Sequence, residues 1–337
     1  MPFQPFAHDW DRVQWSGHER WKWLAVEIAE IRRCAGVGDQ AHDRLALLLT
    51  DHLVEVIVGR EVNARLAWQP VDSVVEEMRE HRDSGAELGA GWDKMIDEHV
   101  GPEQRRQLDK HLCEKTRYLV KQGVLTCQER EVLTRMHEYR NAAYHRDTLD
   151  FGLISDLVLA YMMLASQLLA RHRPMMPIAR LPVASSEIAW MIGTSDPVTP
   201  GELSGLLIDG LEIDLKGVAS RFSDHALKRV DDIARAVGIA RVAVFVVTDD
   251  AQEQGEPMPN DDFAHLLTTL NGVTPAQLQS WAKRASGLKI NITSLVNLMI
   301  RYINLDRKLC KIEPSARRLQ IILDWWEEDR LDEIRLK

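Results

Sequence analysis

The chain has 337 residues, a length that fits two domains. Hydrophobic residues make up 45% of it and charged residues 28%, the proportions of a soluble globular protein, which exclude a disordered, collagen-like or low-complexity chain. No apolar run reaches the roughly 18 residues that a transmembrane helix needs, and residues 1–15 lack the apolar stretch of a signal peptide. We therefore expect a cytoplasmic protein with no membrane partner.

The four cysteines lie far apart and form no CxxC pair: Cys34, Cys113, Cys127 and Cys310. Such spacing is typical of reduced thiols in a cytosolic protein and unlike a disulfide framework or a zinc site. We expect neither a metal nor another cofactor.

The charge is unevenly distributed along an acidic chain whose net charge is −9. Residues 101–180 contain 13 Lys and Arg against 9 Asp and Glu, a balance of +4, so the rest carries 29 against 42, a balance of −13. A locally positive region can attract a phosphate backbone even on an acidic protein. The net charge therefore does not exclude a nucleic-acid partner.

The first half of the sequence predicts helices only. Residues 1–40 form a Trp-rich helical extension, in which His18–Arg33 has apolar residues at helical spacing. Residues 41–172 then form a helical bundle. Its predicted helices cover Asp39–Gly59, Val71–Arg82, Glu103–Gln122, a segment from the N-cap Thr126 to Tyr139 with Glu129 as capping-box partner, and the largely apolar Phe151–His172.

The second half has a different pattern after a Pro-containing linker at residues 173–186. Leu211–Lys216 alternates as a strand does, Ser223–Val237 is amphipathic and ends at Gly238, and Arg241–Thr248 is a continuous β-branched run. This order predicts a parallel βαβ unit. Residues 187–337 are thus expected to form a mixed α/β domain with helices at Thr274–Ala285, Asn291–Arg307 and Pro314–Arg330, in a protein that is mainly α overall.

The strongest local motif is HEYRNAAYHRD at residues 137–147. Arg140, Asn141 and His145 fall at the junction between two predicted helices of the bundle. The N-terminus of the second helix adds positive potential to this junction, so we expect Arg140 and His145 to converge on an anion-binding groove.

Here the sequence resembles the HEPN domain superfamily, whose signature is R-N-x-x-x-H between two long helices of an all-α bundle. The resemblance covers roughly residues 40–172. HEPN proteins that keep this motif are typically metal-independent endoribonucleases, often toxins or phage-defence effectors, and they generally pair so that two motifs face each other. The resemblance implies an RNA substrate, a homodimer, a possible antitoxin or regulatory protein, and catalysis by Arg140, Asn141 and His145.

The chemistry of RNA cleavage suits these residue types. An imidazole with a pKa near 6.5 can take the proton of the ribose 2′-OH or give one to the leaving 5′-oxygen. The guanidinium of Arg140 matches two phosphate oxygens, and Asn141 can orient the histidine or bind a phosphate oxygen. Tyr144 and Arg146 are candidate RNA contacts. DNA, which lacks the 2′-OH, should be spared.

A second candidate site lies in the predicted strand Leu211–Lys216. Glu212, Asp214 and Lys216 would share one face, with Asp196 as an upstream acid. This is similar to restriction-endonuclease-like folds, in which carboxylates bind Mg²⁺ and a lysine helps to activate water. The same alternation is typical of the solvent face of an ordinary edge strand.

A third hypothesis is a non-catalytic module in which both sites are structural and the Trp-rich ends of the chain bind a protein. If the protein is an enzyme, we expect residues 187–337 to have a regulatory role: to sense a trigger, recruit a substrate or restrain the catalytic domain.

Overall fold

The structure is a computed structural model that describes residues 24–85, 89–146, 151–171, 214–254 and 261–323. These ranges are helical and contain no strand, which confirms the mainly α class. The chain divides into two compact units, Met1–Ile213 and Asp214–Lys337. The predicted linker at 173–186 lies outside the described residues.

The N-terminal unit is built from eight described helices and one π-helical turn. They are α1 (residues 24–35), α2 (Gln40–Leu66), α3 (Asp72–Asp83), α4 (Ala90–Glu98), α5 (Pro102–Lys110), α6 (Leu112–Lys121), α7 (Cys127–Asn141), the π-helical segment (Ala142–Arg146) and α8 (Phe151–Arg171).

Side-chain caps fix where the two helices that carry the site begin. Asp39 is the N-cap of α2, and its carboxylate accepts a hydrogen bond from the His42 backbone N–H at 2.9 Å. Thr126 and Glu129 form the expected capping box at the start of α7, which satisfies two backbone N–H groups that the helix leaves free. The beginning of α7 is therefore determined by local sequence.

The core of this unit lies where α2 packs along α8, with α6 and α7 against α2. Leucine, isoleucine and valine side chains of α2 and α8 are buried at this contact. The segment Leu153–Arg171 is long and apolar enough to cross a membrane by composition, but 72% of its apolar window is buried inside the bundle. It is the central helix of the core, as its apolar character on most faces predicts.

Two local features of the N-terminal unit differ from expectation. The single helix expected over Glu103–Gln122 is interrupted at His111, whose extended backbone separates α5 from α6. Helix α4 forms between the predicted helices Val71–Arg82 and Glu103–Gln122, where no helix was expected, and its Ile96 provides an apolar anchor that is 3% exposed.

The C-terminal unit consists of α9 (Leu215–Gln254), α10 (Asp261–Asn271), α11 (Pro275–Gly287), α12 (Leu295–Leu309) and α13 (residues 313–323). The long helix α9 packs against α10, α11 and α12. Thr274 and Gln277 form a capping box at the start of α11, with Pro275 in its first turn, as the Thr-Pro pair predicts.

The expected βαβ unit is wrong, because the described part of both predicted strands lies in or beside α9. Asp214 is extended and its carboxylate accepts a hydrogen bond from the Gly217 backbone N–H at 2.5 Å, so it caps the helix. Gly238 does not end α9, and the β-branched run at Arg241–Thr248 continues it. A short apolar run cannot be distinguished from a buried helix by periodicity alone, and here the helix prevails.

A buried arginine ties three helices of the C-terminal unit together. Arg229 of α9 is 6% exposed and makes two hydrogen bonds to the Glu313 carboxylate, at 2.9 and 2.8 Å, and one to Asp306 Oδ1 at 2.8 Å. Its pKa is raised, since these carboxylates outweigh the cost of burial. Burial and the charge of Asp306 raise the pKa of the neighbouring Cys310 thiol to about 11, so this thiol stays protonated.

Candidate functional site

The site is organised around Asp51, a carboxylate with no solvent exposure in the middle of α2. It lies where α2 meets α7 and α8, and four side chains surround it: His137 and Arg140 of α7, Tyr161 of α8, and Glu55 one turn further along α2. We call these five residues the Asp51 cluster. A buried carboxylate is stable only when it is paired and hydrogen-bonded, and the cluster supplies both.

Arg140, the arginine of the motif, points to this carboxylate. Its Nε donates to Asp51 Oδ2 at 2.7 Å, and its Nη1 donates to the Asn141 side-chain oxygen at 2.7 Å. Nη2 lies 3.6 Å from Glu55 Oε1. The hydrogen bonds use one N–H of Nε and one of Nη1, so the terminal nitrogens have further N–H donors. The side chain of Arg140 is 18% exposed. Asn141 thus orients the arginine.

His137 is attached to the same carboxylate one turn before Arg140. Its Nδ1 is 3.0 Å from Asp51 Oδ2 and 3.3 Å from Glu55 Oε1. The hydrogen bond to Asp51 raises the pKa of His137, because it outweighs the burial that would lower it and the repulsion by Arg140. The side chain is 28% exposed, and none of the described residues hydrogen-bonds its Nε2. His137 therefore lies at the edge of the cluster, and its protonated form is favoured there.

Tyr161 completes the surroundings of Asp51 from the opposite side. Its hydroxyl is fully buried and donates to Asp51 Oδ1 at 2.6 Å. Burial and the adjacent Asp51 charge raise the pKa of Tyr161 well above its usual range, so it is a permanent donor. Burial alone would raise the pKa of Asp51, but the hydrogen bonds from His137 and Tyr161 and the nearby positive charges hold it below its usual value. Asp51 is therefore ionised.

The motif continues into the π-helical segment directly after α7. This segment contains Tyr144, His145 and Arg146. Tyr144 is 62% exposed, whereas the side chains of His145 and Arg146 lie outside the description. π-helical turns are rare and occur frequently at functional sites. The backbone of the motif is thus a wide turn immediately beyond the arginine.

Sequence reasoning missed Asp51, Glu55, His137 and Tyr161 as site residues. A signal was present for Asp51, since it interrupts the apolar stripe that runs through Leu47, Val54 and Val58 of α2. A charged residue in a buried stripe needs a partner. His137 lies three residues before Arg140, the spacing at which two side chains share a helix face.

The alternative site is not assembled as a strand. Asp214 caps α9, Lys216 lies in its first turn, and residues two positions apart on a helix do not face each other. The other two residues of that prediction, Asp196 and Glu212, lie outside the described residues.

The donors of Asp51, Glu55 and His137 lie within 4.8 Å of one another, close enough to share a metal ion. Positive charge is already available there, because the Arg140 guanidinium contacts both carboxylates and His137 has a raised pKa. We therefore describe the cluster as an ion-pair network of protein side chains.

A scan against family models finds no match, and searches of the curated proteins and of the solved structures find none either.

Proposed function

We propose that the protein is a metal-independent endoribonuclease of the HEPN type, which cleaves RNA by attack of the ribose 2′-OH on the adjacent phosphate. In this proposal it acts in the cytoplasm as a homodimer, as a toxin or an antiviral defence effector, and an antitoxin or regulatory protein restrains it. Arg140 stabilises the charge that develops on the phosphate, His145 transfers a proton, and Asn141 positions the arginine.

The observation that carries the proposal is the way in which Arg140 is held. A buried, ionised carboxylate fixes its Nε, and the neighbouring amide fixes Nη1. Preorganised donors stabilise a transition state better than mobile ones, because they need no reorganisation when charge develops. His145 follows in the π-helical segment, five residues after the arginine.

An exposed aromatic side chain beside the motif supports an RNA substrate. Tyr144 is 62% exposed in the π-helical segment. Unstacked RNA bases bind by stacking on aromatic side chains, so Tyr144 is suited to hold a base next to the reacting phosphate, with Arg146 as a further phosphate contact.

The test is an RNA-cleavage assay on the full chain, with and without EDTA. Wild type should cleave total RNA in both conditions and leave DNA intact, while His145→Ala should lose activity by at least about 100-fold, the usual contribution of a general acid or base. His111→Ala, which changes an exposed histidine elsewhere in the unit, is the matched control. Full activity of His145→Ala would refute the assignment.

The same assay separates the two other candidate functions. A Mg²⁺-dependent nuclease would lose its activity in EDTA and in Lys216→Ala. A non-catalytic protein-interaction module would cleave no nucleic acid in any condition, and substitution of its tryptophans would abolish binding to a partner protein.

A further inference from the structure

We propose that His137 is a second catalytic residue, which protonates the leaving 5′-oxygen through its Nε2, so that one protomer supplies both proton-transfer groups of the reaction. This inference rests on the proposed ribonuclease function. It differs from an arrangement in which the acid and the base come from the two halves of a dimer.

The geometry of His137 is that of an oriented acid–base group. Its Nδ1 is bound by Asp51 at 3.0 Å, which fixes the ring and directs the other nitrogen away from the carboxylate. A carboxylate that holds one imidazole nitrogen while the second reacts is a recurring catalytic arrangement. None of the described residues occupies that second nitrogen, and 28% of the side chain is exposed.

The charges around His137 suit an acid better than a base. Asp51 and Glu55 of α2 face the ring at 3.0 and 3.3 Å and favour its protonated form. Arg140 on the same helix opposes this, and the Tyr161 hydroxyl of α8 is a neutral donor to Asp51. The balance raises the pKa of His137 and so favours the protonated form of the ring, the form that can donate a proton.

The positions along the chain also fit a division of roles. His137 precedes Arg140 by three residues and His145 follows it by five, so the arginine lies between the two histidines. In the proposed step His145 accepts the 2′-OH proton as the 2′-oxygen attacks phosphorus. The bond between phosphorus and the 5′-oxygen breaks, and the His137 Nε2 proton goes to that oxygen. The products are a 2′,3′-cyclic phosphate and a 5′-hydroxyl.

A pair of substrates tests the role of His137. One is an oligoribonucleotide, whose 5′-oxygen needs a proton, and the other is a set of nucleoside 3′-(4-nitrophenyl phosphates), whose leaving group needs none. His137→Asn keeps an amide N–H in place of Nδ1 for Asp51 but removes Nε2. We expect it to slow oligoribonucleotide cleavage by about 100-fold or more and to cleave the nitrophenyl substrates within a few-fold of wild type.

The controls separate this inference from the function on which it rests. His145→Ala should lose its activity on both substrates. His52→Asn should keep its activity on both, and it is a matched control because His52 is an exposed histidine whose Nδ1 also binds a carboxylate. Normal oligoribonucleotide cleavage by His137→Asn, or equal losses on both substrates, would overturn the role of His137 alone. Absence of RNA cleavage by wild type would overturn the proposed function itself.

Mixed subunits test whether both groups act within one protomer. Combining His137→Asn chains with His145→Ala chains should not restore oligoribonucleotide cleavage, because each protomer lacks one group. If the acid and base came from different subunits, one intact composite site would form in each mixed dimer. Recovery of a substantial fraction of wild-type activity would therefore contradict the single-protomer arrangement.

Discussion

The Nε of Arg140 donates to the Oδ2 of Asp51 at 2.7 Å, across 89 positions of the chain. This bond joins the end of α7 to the middle of α2, so the arginine of the motif is both a candidate catalytic group and a structural one. Variants of the site therefore need a stability measurement beside every activity measurement.

Asp51→Asn should destabilise the protein strongly. The substitution keeps the size of the side chain but removes the charge that Arg140 and His137 face, and an unpaired charge in a buried site costs about 3–5 kcal/mol. Glu55→Gln, whose site is 32% exposed, should cost less than about 1 kcal/mol. Urea unfolding followed by circular dichroism measures both, and equal losses would contradict the central place of Asp51.

Tyr161→Phe isolates the hydroxyl bond on the other side of the carboxylate. The change removes the 2.6 Å donor to Asp51 Oδ1 and leaves that buried oxygen only the longer contact with His137 Nδ1 at 3.3 Å. It should lower the free energy of unfolding by about 1–3 kcal/mol. Tyr118→Phe is the matched control, because Tyr118 is also buried but none of the described residues hydrogen-bonds its hydroxyl. A loss in the control as large as in Tyr161→Phe would show that the bond to Asp51 is not the cause.

The charge state of His137 gives the cluster a defined pH dependence. Its raised pKa means that its contribution to stability is complete below the unfolded value near 6.5 and is lost as the pH rises through the folded value. The lowered pKa of Asp51 has the opposite sign, so its contribution is lost as the pH falls through the folded value. The stability difference between wild type and His137→Asn should therefore be larger at pH 5.5 than at pH 8.5. Denaturant titrations at both pH values measure it, and a difference independent of pH would argue against the shift.

Arg229→Met tests the buried network of the C-terminal unit. It leaves Asp306, which is 1% exposed, without its counter-charge, and should cost about 3–5 kcal/mol. Arg235→Met is the control. Arg235 lies on the same helix, but its side chain is 68% exposed, and its only ion pair in the described structure is with Asp232 at 3.9 Å. That control should change stability by less than about 0.5 kcal/mol. Thermal unfolding of the two variants checks the contrast.

Local signals predicted local structure well and long-range structure poorly. The capping box of Thr126 and Glu129 and the apolar helix from Phe151 were predictable, because each is specified by neighbouring residues. The run at Arg241–Thr248 was assigned wrongly to a strand, because β-propensity depends on the surroundings of a segment. A strand needs partners to pair with, whereas α9 satisfies its backbone along its own length.

The residues of the candidate site likewise fall into those that a local motif predicted and those that only packing brings there. Arg140 and Asn141 were found from a motif in one stretch of sequence, but Asp51 and Tyr161 reach it from helices 89 and 21 residues away from Arg140. Only packing brings these three helices together. No spacing rule in a single sequence connects them, although the buried charge of Asp51 indicates that some partner is required.

The π-helical segment Ala142–Arg146 changes the rotational phase of the residues that follow Arg140. Each of its turns contains more residues than an α-helical turn, because the closing hydrogen bond reaches one residue further. In a regular α-helix the same residues would direct their side chains at different angles around the helix axis. Deleting Ala142 or Ala143 would therefore rotate His145 relative to Arg140 without altering either residue.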